Sequence, residues 1–528
     1  MQKVIITDSV DKACVAMLSA QGIQADVKIK LPKEELKAIL PDYQGWIIRS
    51  GTQIDAELLD AAVNMKVIGR AGVGVDNVDL EAATRRGVLV VNSPDGNTIS
   101  TAEHTCAMIQ SLARHLPQAY ASLKSGSWER GKFNGMELFG KTLGIIGAGK
   151  IGRAVAERMT GFGLNVIAYD PMLNETVAER LGIRLVSLDE IYAQSDIITV
   201  HTPLTEETTG LLNTQTLAAC KKGVLIVNCA RGEIINELEL LGALESGHVG
   251  GAALDVFSSE PPVEALKPLL AHPNVVTTPH IAASTKEAQL KVAEEVTAEV
   301  IEALQGRSVR TSVNSYAIRM AAKSEVQPFL RLAEKLGQTA GQLMDGSLRK
   351  VVVRCMGDIP KRYSELLWVA VLRGLLAKWH PFVNYINAPA ISEEMGISVE
   401  EQRSDDAGNF TDLLEIRVES TSGTKRLSGA VFNGDDARIV ALDGFPLEVR
   451  PEGHILFYTN VDRPGMVAAV GGLLAENNIN IATFTLGRTG RGLEALTSVC
   501  VDEAIPDAIL ARIAAIDGVQ NVKMVYVV

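Results

Sequence analysis

Residues 141–170, KTLGIIGAGKIGRAVAERMTGFGLNVIAYD, decide the fold of this chain. The apolar run at 143–146 predicts a buried parallel strand. Glycines at 147, 149 and 152 follow it, and a helical pattern then runs from 151 to about 162. A second apolar run at 166–169 predicts the next strand and ends on Asp170. This order of strand, glycine loop, helix, strand and acid is typical of a doubly wound α/β unit.

Each glycine of the loop has a physical task in a dinucleotide site. Gly147 permits a tight turn, Gly149 lets the backbone approach a pyrophosphate, and Gly152 lets the helix pack closely on the strand. The helix N-terminus offers free N–H groups to the phosphates. Asp170 is suited to accept hydrogen bonds from both ribose hydroxyls and to repel the extra phosphate of NADP. The stretch predicts a nicotinamide dinucleotide site that prefers NAD; the alternative is a tight turn without a ligand.

The composition of the 528-residue chain narrows its class. The length allows three or four domains, and a hydrophobic content of 47% is enough for their cores. A net charge of −12 without a long basic run argues against nucleic-acid or acidic-membrane partners. No signal-peptide pattern opens the chain, and no apolar stretch approaches the ~20 residues of a membrane-spanning helix. The scattered cysteines lack metal-ligand spacing, so we expect a soluble cytoplasmic protein without a metal.

The first 310 residues predict two parallel α/β domains. From residue 4 to 92, short apolar runs alternate with helical stretches. A helical pattern from about 98 to 124 leads to the dinucleotide unit, and another helix is predicted over 287–304. The sheet of the dinucleotide unit continues through apolar runs at 196–201, 223–228, 251–256 and 274–280. A cleft between the two domains is the natural active site.

The remainder of the chain has a different character. Residues 320–450 predict helices at 325–344 and 364–378 and strands that include 413–420 and 438–445, with no catalytic constellation. The last segment, 454–528, predicts strand, helix, strand, strand, helix and strand. This βαββαβ order is that of a ferredoxin-like domain.

Three polar residues follow predicted strands of the dinucleotide sheet: Arg231 in NCARGEIIN, Glu260 in DVFSSEPP and His280 in TPHIAAS. Because ligands bind at the carboxyl edge of such sheets, we expect all three positions to lie on the cofactor side. Histidine suits the base that takes a hydroxyl proton, a carboxylate fixes its tautomer, and arginine grips a substrate carboxylate at two points. Singly, each residue also has an ordinary structural explanation. Together they predict a site that oxidises a 2-hydroxy acid.

Several motifs give the chain a family resemblance. Beyond the glycine loop these are HTPLTEETTGLL, VNCARGEIIN, ALDVFSSEPP and TPHIAAST, together with RAGVGVDNVDL at 70–80 and WERGKF at 128–133. They resemble the D-2-hydroxyacid dehydrogenase family, and most closely its long members that act on D-3-phosphoglycerate. The resemblance covers essentially the whole chain and implies both an intervening domain and a C-terminal ACT domain.

The resemblance implies four domains. A substrate-binding domain would comprise 1–96 and 283–312, an NAD-binding Rossmann domain 97–282, an intervening domain similar to allosteric substrate-binding domains 313–450, and an ACT regulatory domain 453–528. The expected fold class is therefore α/β, with two Rossmann-like or flavodoxin-like parallel domains, an α+β intervening domain and a ferredoxin-like ACT domain.

The resemblance also assigns the site. Arg231, Glu260 and His280 take the catalytic positions. The implied cofactor contacts are Gly147, Gly149, Lys150, Ile151, Gly152, Asp170, Thr202, Cys229, Ala230, Arg231, Asp255, His280, Ala282 and Ala283. The implied substrate contacts are Arg49, Ser50, Gly51, Gly74, Val75 and Arg231. Arg130 and Lys132 are further candidates for phosphate contact across a dimer interface.

The activity implied is NAD-dependent oxidation of D-3-phosphoglycerate to 3-phosphohydroxypyruvate, the first step of L-serine biosynthesis, by a homodimer or homotetramer. The ACT domain implies inhibition by L-serine, held by Asn460, Asp462 and Asn480; the alternative is that the domain only dimerises. Two other functions stay open at this point. One is oxidation of another 2-hydroxy acid, such as glycerate or 2-hydroxyglutarate. The other is that of a dinucleotide-sensing corepressor.

Overall fold

The described part of the chain folds around four β-sheets, and the first two are parallel. The computed structural model describes residues 1–307, 309–321, 323–490 and 492–528. Within these ranges, no helix has both the length and the apolar character needed to cross a membrane.

The first sheet lies at the N-terminus. Its strands are β1 (Lys3–Ile6), β2 (Gln24–Val27), β3 (Gly45–Ile48), β4 (Val67–Arg70) and β5 (Leu89–Asn92), paired in the parallel order β2-β1-β3-β4-β5. The intervening helices are α1 (Ala13–Ala20), α2 (Lys33–Ile39), α3 (Ala56–Ala61) and α4 (Leu80–Arg85). Helices cover both faces, which explains why β1, β3, β4 and β5 are mostly apolar, whereas the edge strand β2 is more polar.

The second sheet carries the glycine loop. Its strands are β6 (Thr142–Ile146), β7 (Asn165–Tyr169), β8 (Arg184–Leu185), β9 (Ile197–Val200), β10 (Val224–Asn228), β11 (Val249–Leu254) and β12 (Val275–Thr277). Its helices are α5 (Thr98–Ala113), α6 (Leu116–Lys124), α7 (Lys150–Thr160), α8 (Glu175–Arg180), α9 (Leu188–Gln194), α10 (Thr214–Ala219), α11 (Glu237–Glu245) and α12 (Lys267–Ala271). The parallel order β12-β11-β10-β9-β6-β7-β8 reverses between β6 and β9, where ligands bind in such sheets.

The helix expected from about 98 to 124 is in fact two helices, so that prediction was wrong. α5 ends at Ala113 and α6 begins at Leu116. Between them His115 has left-handed backbone geometry, with a φ of 51°. Pro117 follows in the first turn of α6, where the missing N–H of proline is tolerated.

A returning helix ties the two parallel units together. α13 (Lys286–Leu304) follows the second sheet, but its Val296 and Val300 pack on the first. A Cβ added at Gly69 of β4 would lie 2.6 Å from Val300 and 2.8 Å from Val296. Glycine at this position therefore lets the helix lie directly on the strand. The packing favours a discontinuous N-terminal domain, whose boundaries stay a prediction.

The third sheet is mixed. Its strands are β13 (Leu348–Met356), β14 (Ser398–Ser404), β15 (Leu413–Ser420), β16 (Gly423–Phe432), β17 (Asp436–Leu442) and β18 (Phe445–Val449), in the order β14-β13-β15-β16-β17-β18 with only β13 and β14 parallel. The helices are α14 (Tyr316–Ala321), α15 (Gln327–Leu343), α16 (Asp358–Arg362), α17 (Ser364–Leu376) and α18 (Ala388–Glu394). The single strand expected over 438–445 is instead a hairpin, because the chain turns at Asp443 and Gly444, both with positive φ.

The fourth sheet is antiparallel. It contains β19 (Gly453–Val461), β20 (Ile481–Arg488), β21 (Glu494–Val501) and β22 (Val519–Val527) in the order β20-β21-β19-β22, with helices α19 (Met466–Glu476) and α20 (Asp507–Ala514). This arrangement confirms the predicted βαββαβ order, and the four sheets confirm the predicted fold class. Gln342 of α15 bonds both the carbonyl and the N–H of Tyr526, at 2.7 and 2.9 Å, so the third and fourth sheets are joined.

Candidate active site

The three residues predicted to be catalytic follow three neighbouring strands. β10, β11 and β12 are adjacent, and Arg231, Glu260 and His280 come after their carboxyl ends. The structure brings two of them into contact: His280 Nδ1 lies 2.6 Å from Glu260 Oε2. The other oxygen of Glu260 accepts the N–H of Phe257 at 3.2 Å. Because Nδ1 is engaged, Nε2 is the nitrogen left for a substrate.

The charge on Glu260 is stabilised by this contact. Burial alone would raise the pKa of Glu260, but the hydrogen bond and charge of His280 and the N–H of Phe257 hold it below its usual value. The side chains of His280 and Glu260 are 41% and 38% exposed. The pair therefore places an ionised carboxylate behind an accessible imidazole at the edge of the sheet.

Arg231 connects the two parallel domains. Its Nε donates to Asp76 Oδ2 at 2.8 Å, across the cleft. A Cβ added at Gly74 would lie only 1.7 Å from Arg231 Nη2, so glycine lets the loop after β4 lie against the guanidinium. Asn228, at the end of β10, shapes the turn that presents Arg231, since it donates to the carbonyl of Arg231 at 2.8 Å and accepts the N–H of Ala230 at 2.9 Å.

A second arginine of the cleft was missed by sequence reasoning. Arg70 ends β4, and a Cβ added at Gly72 would lie 1.6 Å from its Nη1. Burial, followed by the charges of Arg231 and Arg49, lowers the pKa of Arg70 to about 10. Its Nε is buried and has no hydrogen-bond partner in the described part of the chain. Such a donor among three guanidinium groups indicates an anionic ligand. The strand-end rule that selected Arg231 selects Arg70 as well.

Two loops, after β3 and β4, carry the residues expected to contact the far end of the substrate. These residues are Arg49, Ser50, Gly51, Gly74 and Val75. Asn77 joins these loops by donating to the carbonyls of Arg49 and Thr52, at 2.7 and 2.6 Å. Asp8 supports the same turn by accepting the N–H groups of Arg49 and Thr52, at 2.6 and 3.1 Å. Arg130 and Lys132 lie on a separate turn after α6, where Lys132 pairs with Glu129 at 2.6 Å.

The glycine loop fits a bound dinucleotide. Gly147 has a φ of 92°, and a Cβ added there would lie 2.7 Å from the carbonyl oxygen of His201. A Cβ at Gly152 would lie 2.2 Å from the carbonyl oxygen of Gly147. At Gly149 a Cβ would meet nothing within 4 Å, so the loop backbone is open to a ligand. Lys150 then begins α7, whose N-terminal N–H groups suit a pyrophosphate.

Other polar groups surround this loop. Oδ1 of Asp170 accepts the two N–H groups of the following turn, at 2.8 and 3.1 Å, which leaves Oδ2 for a ribose. Thr202 Oγ1 is buried without a hydrogen-bond partner among the described residues. Lys150 forms an ion pair with Asp95, in the connection between the two domains. Burial raises the pKa of the neighbouring Cys229 thiol to about 12, so the thiol stays protonated at neutral pH.

Asp255, predicted to contact the cofactor, is a buried support of the loop that carries His280. Its Oδ1 accepts the hydroxyl of Thr278 at 2.5 Å and the N–H of Ile281 at 2.9 Å, and its Oδ2 accepts the N–H of Ala282 at 2.9 Å. Burial would raise the pKa of Asp255, but hydrogen bonds from these groups and from a histidine on α5 hold it below its usual value. Contact between Asp255 and the cofactor stays a prediction.

The residues expected to bind an effector each have a partner within the chain: Asn460 with Thr497 at 3.0 Å, Asp462 with Arg488 at 3.0 Å, and Asn480 with Asp502 at 2.7 Å. Asn460 is only 3% exposed. The helix beside them begins at Met466, after Gly465, without a side-chain cap. Its first N–H groups are therefore suited to hold a carboxylate.

A cavity of about 1130 Å³ lies away from this chemistry. It sits between the first sheet and the intervening region, and its walls include Lys66, Arg86, Leu330 and Tyr385. Its lining contains no residue of the predicted site. The candidate active site is therefore the cleft where the carboxyl edges of the two parallel sheets meet.

Fold and site together define a class: a dehydrogenase that uses NAD and acts on a 2-hydroxy acid. Comparison with known proteins supports this class. Residues 106–282 match the model of the D-isomer specific 2-hydroxyacid dehydrogenase NAD binding domain. Residues 325–443 match the D-3-phosphoglycerate dehydrogenase intervening domain, and residues 454–518 match the ACT domain.

Full-length relatives narrow the class. The chain is 41% identical over 524 residues to D-3-phosphoglycerate dehydrogenase of Archaeoglobus fulgidus, covering 98% of each chain. It is 43% identical over 492 residues to the human protein of that name, covering 92% of each. The chain belongs to the D-3-phosphoglycerate dehydrogenase family, in the long form with intervening and ACT domains. The predicted enzyme class and the predicted cofactor, NAD, are confirmed.

Solved structures resemble the first two domains. One is D-lactate dehydrogenase from Aquifex aeolicus complexed with NAD and lactic acid, with a TM-score of 0.52 and 30% identity, covering 57% of this chain and 96% of that one. Another is D-2-hydroxyisocaproate dehydrogenase, with a TM-score of 0.54 and 26% identity, covering 59% and 99%.

Proposed function

We propose that this chain oxidises D-3-phosphoglycerate to 3-phosphohydroxypyruvate with NAD, in the first step of L-serine biosynthesis. One observation carries the proposal: a His280–Glu260 pair and the guanidinium groups of Arg49, Arg70 and Arg231 border one cleft beside the NAD loop. A substrate with an anionic group at each end of a three-carbon acid matches that distribution of charge.

In this mechanism His280 is the base. Its Nε2 takes the proton of the C2 hydroxyl, while Glu260, held at Nδ1, stabilises the imidazolium that forms. Arg231 grips the substrate carboxylate and thereby fixes the position of C2. Bound NAD supplies the acceptor for the hydride that leaves C2. The reverse direction uses the same groups, with His280 returning its proton to the oxygen of the keto acid.

The phosphate would be held from the N-terminal domain. Arg70 supports this because its buried Nε has no partner in the described residues and because Arg49 lies close enough to lower its pKa. Phosphate is also the group that an arginine fork binds at two points. The carboxylate end then remains with Arg231, on the NAD-binding domain.

An Arg70→Met variant tests the phosphate assignment. We expect kcat/KM for D-3-phosphoglycerate to fall about a hundredfold, the effect of losing charge-assisted hydrogen bonds of about 1.5–3 kcal/mol. Turnover of D-glycerate, which lacks the phosphate, serves as the internal control and should change little. Equal losses for both substrates would remove Arg70 from the phosphate site. Preference of the wild-type chain for 2-hydroxyglutarate over both substrates would overturn the substrate assignment itself.

We further propose that the chain works in the cytoplasm as a homodimer or homotetramer. Support comes from large apolar side chains exposed on α6 and the segment after it: Leu116, Tyr120, Leu123, Trp128 and Phe139, which are 53% to 77% exposed. Arg130 and Lys132 belong to the same segment, which suits a contact with the partner's substrate. Trp128→Glu should shift the mass measured by light scattering toward the monomer; an unchanged mass would place the interface elsewhere.

The ACT domain is proposed to make turnover sensitive to L-serine. The uncapped N-terminus of α19 suits the carboxylate of serine. Since Asn460, Asp462 and Asn480 are bonded within their own chain, a second ACT domain would complete the site. We also propose that the chain divides into four domains at the limits given in the sequence analysis, since each of them contains one of the four β-sheets.

A further inference from the structure

His104 lies beside the support of the catalytic loop. It belongs to α5, and 19% of its side chain is exposed. Its Nε2 lies 3.2 Å from Thr278 Oγ1 and 3.4 Å from Asp255 Oδ1. Neither the motifs nor the mechanism above gives this histidine a task.

The hydrogen bonds fix where the proton of His104 resides. Thr278 has one hydroxyl proton, and it donates that proton to Asp255 Oδ1 at 2.5 Å. The hydroxyl oxygen can then only accept from His104, so the imidazole carries a proton on Nε2. The order of donation runs from His104 to Thr278 and from Thr278 to the Asp255 carboxylate.

This network ends at His280. The carbonyl of Asp255 accepts the N–H of His280 at 2.8 Å, and its carboxylate accepts the N–H groups of Ile281 and Ala282, both at 2.9 Å. His280 has a φ of 52°, a left-handed conformation that residues other than glycine keep only where their surroundings fix it. Asp255 is completely buried, so solvent cannot replace Thr278 if that hydroxyl turns away from the carboxylate.

We propose that His104 is a positioning residue for the oxidation. Through Thr278 and Asp255 it holds the loop over residues 278–282, and that loop aims the imidazole of His280 at the C2 hydroxyl. The inference rests on the proposed role of His280 as the base. Without the hydrogen bond from His104 to Thr278, the substrate still binds to Arg231 and Arg70, and NAD still binds to the glycine loop. In fewer of these complexes, however, does His280 lie in position to take the proton. The effect should therefore appear in kcat rather than in KM.

Three substitutions of His104 separate the hydrogen bond from packing. His104→Gln places an amide N–H at about the reach of Nε2, His104→Asn places it one bond nearer the backbone, and His104→Leu has no donor. We expect His104→Leu and His104→Asn to lower kcat about tenfold, as for loss of a hydrogen bond within a charged network. KM for D-3-phosphoglycerate should stay within about twofold of wild type. His104→Gln should recover most of kcat, and His115→Asn, at the α5–α6 turn, should match wild type.

Each contrary outcome has a distinct meaning. Unchanged kcat in His104→Leu would overturn the positioning role. Equal losses in the glutamine and leucine variants, or a loss carried by KM, would overturn it too, because packing or binding would then be the cause. Thermal unfolding of each variant shows whether a loss follows stability, which would also refute the role. A His280→Asn variant that kept turnover would instead refute the proposed function.

Discussion

The catalytic cleft and the ACT sheet present their candidate binding groups in opposite states. In the cleft, Arg70 Nε and Thr202 Oγ1 are buried and have no hydrogen-bond partner among the described residues. In the ACT sheet, Asn460 and Asn480 already bond to side chains of the same chain, at 3.0 and 2.7 Å. An unpaired buried donor is costly until a ligand arrives, whereas a satisfied side chain must first give up a bond.

This difference separates two kinds of site. The cleft is prepared within one chain: its base, its glycine loop and two buried groups without a partner among the described residues lie together, although Arg231 and Lys150 also pair with carboxylates of the cleft. The candidate effector site is not prepared in that way, and we expect it to depend on a second chain or on a rearrangement. Substitutions in the cleft should therefore have large effects on turnover, and substitutions in the ACT sheet should have small ones.

The largest effect is expected at His280. His280→Asn removes the base while keeping a polar side chain, so kcat for D-3-phosphoglycerate should fall by about 10²–10⁴. Steady-state NADH formation measures it, and thermal unfolding of the variant is the control for correct folding. If kcat fell by less than tenfold, the base would have to be another residue.

Glu260→Gln should have a smaller effect, and one that depends on pH. His280 and the N–H of Phe257 hold the pKa of Glu260 below its usual value, so the carboxylate keeps its charge at neutral pH and stabilises the imidazolium that forms. Glutamine keeps a hydrogen-bond acceptor for Nδ1 but not the charge, so kcat/KM for the oxidation at neutral pH should fall about tenfold. The difference between variant and wild type should shrink only below the usual carboxyl pKa, where Glu260 of the wild type becomes protonated. Wild-type kcat/KM in the variant at neutral pH would mean that the pair does not act as one unit.

A weaker effect of opposite sign is expected at the glycine loop. Asp95 pairs with Lys150, and about half of each side chain is exposed, 50% and 53%. A bound pyrophosphate would compete with Asp95 for the same ammonium group. Asp95→Asn should therefore lower the Kd for NAD by about two- to fivefold. The decrease should be smaller at high salt, where exposed charges are screened. Weaker NAD binding in this variant would show that the ion pair assists the cofactor instead.

The smallest effect on turnover is expected in the ACT sheet. Asn480→Ala removes the hydrogen bond to Asp502, a bond worth about 1 kcal/mol. Turnover without serine should stay within about twofold of wild type, because the substitution lies outside the cleft. The L-serine concentration for half-inhibition should rise several-fold. A large drop in basal turnover would contradict the separation between the two sites.

The parts of the site that could be predicted from sequence are those set by local chemistry. The glycine loop is fixed by turn geometry, and Gly147 and Gly152 indeed have no room for a Cβ. Arg231, Glu260 and His280 could be placed at one edge because parallel strands end on the same side of a sheet. Arg70 also ends a strand, but the strand-end rule was applied to the dinucleotide sheet alone, and the sequence does not show which strand of the first sheet lies opposite Arg231.

The remaining errors have local causes. The helical periodicity of 98–124 continues through the position where His115 turns left-handed, so the break between α5 and α6 is not visible as a change of pattern. At the β17–β18 hairpin the signal was present: Asp443-Gly444 is a typical two-residue turn, and the apolar run on both sides concealed it. His104 has no sequence signal at all, because its importance depends on the fold bringing α5 beside Asp255.

The most direct measurement is the initial rate of NADH formation by the wild-type chain with D-3-phosphoglycerate and, at equal concentrations, with D-glycerate. If Arg231 and Arg70 hold the two ends of the substrate, kcat/KM should favour the phosphorylated acid by about a hundredfold or more. Equal kcat/KM for the two acids, or no NADH with D-3-phosphoglycerate, would contradict the account of the cleft.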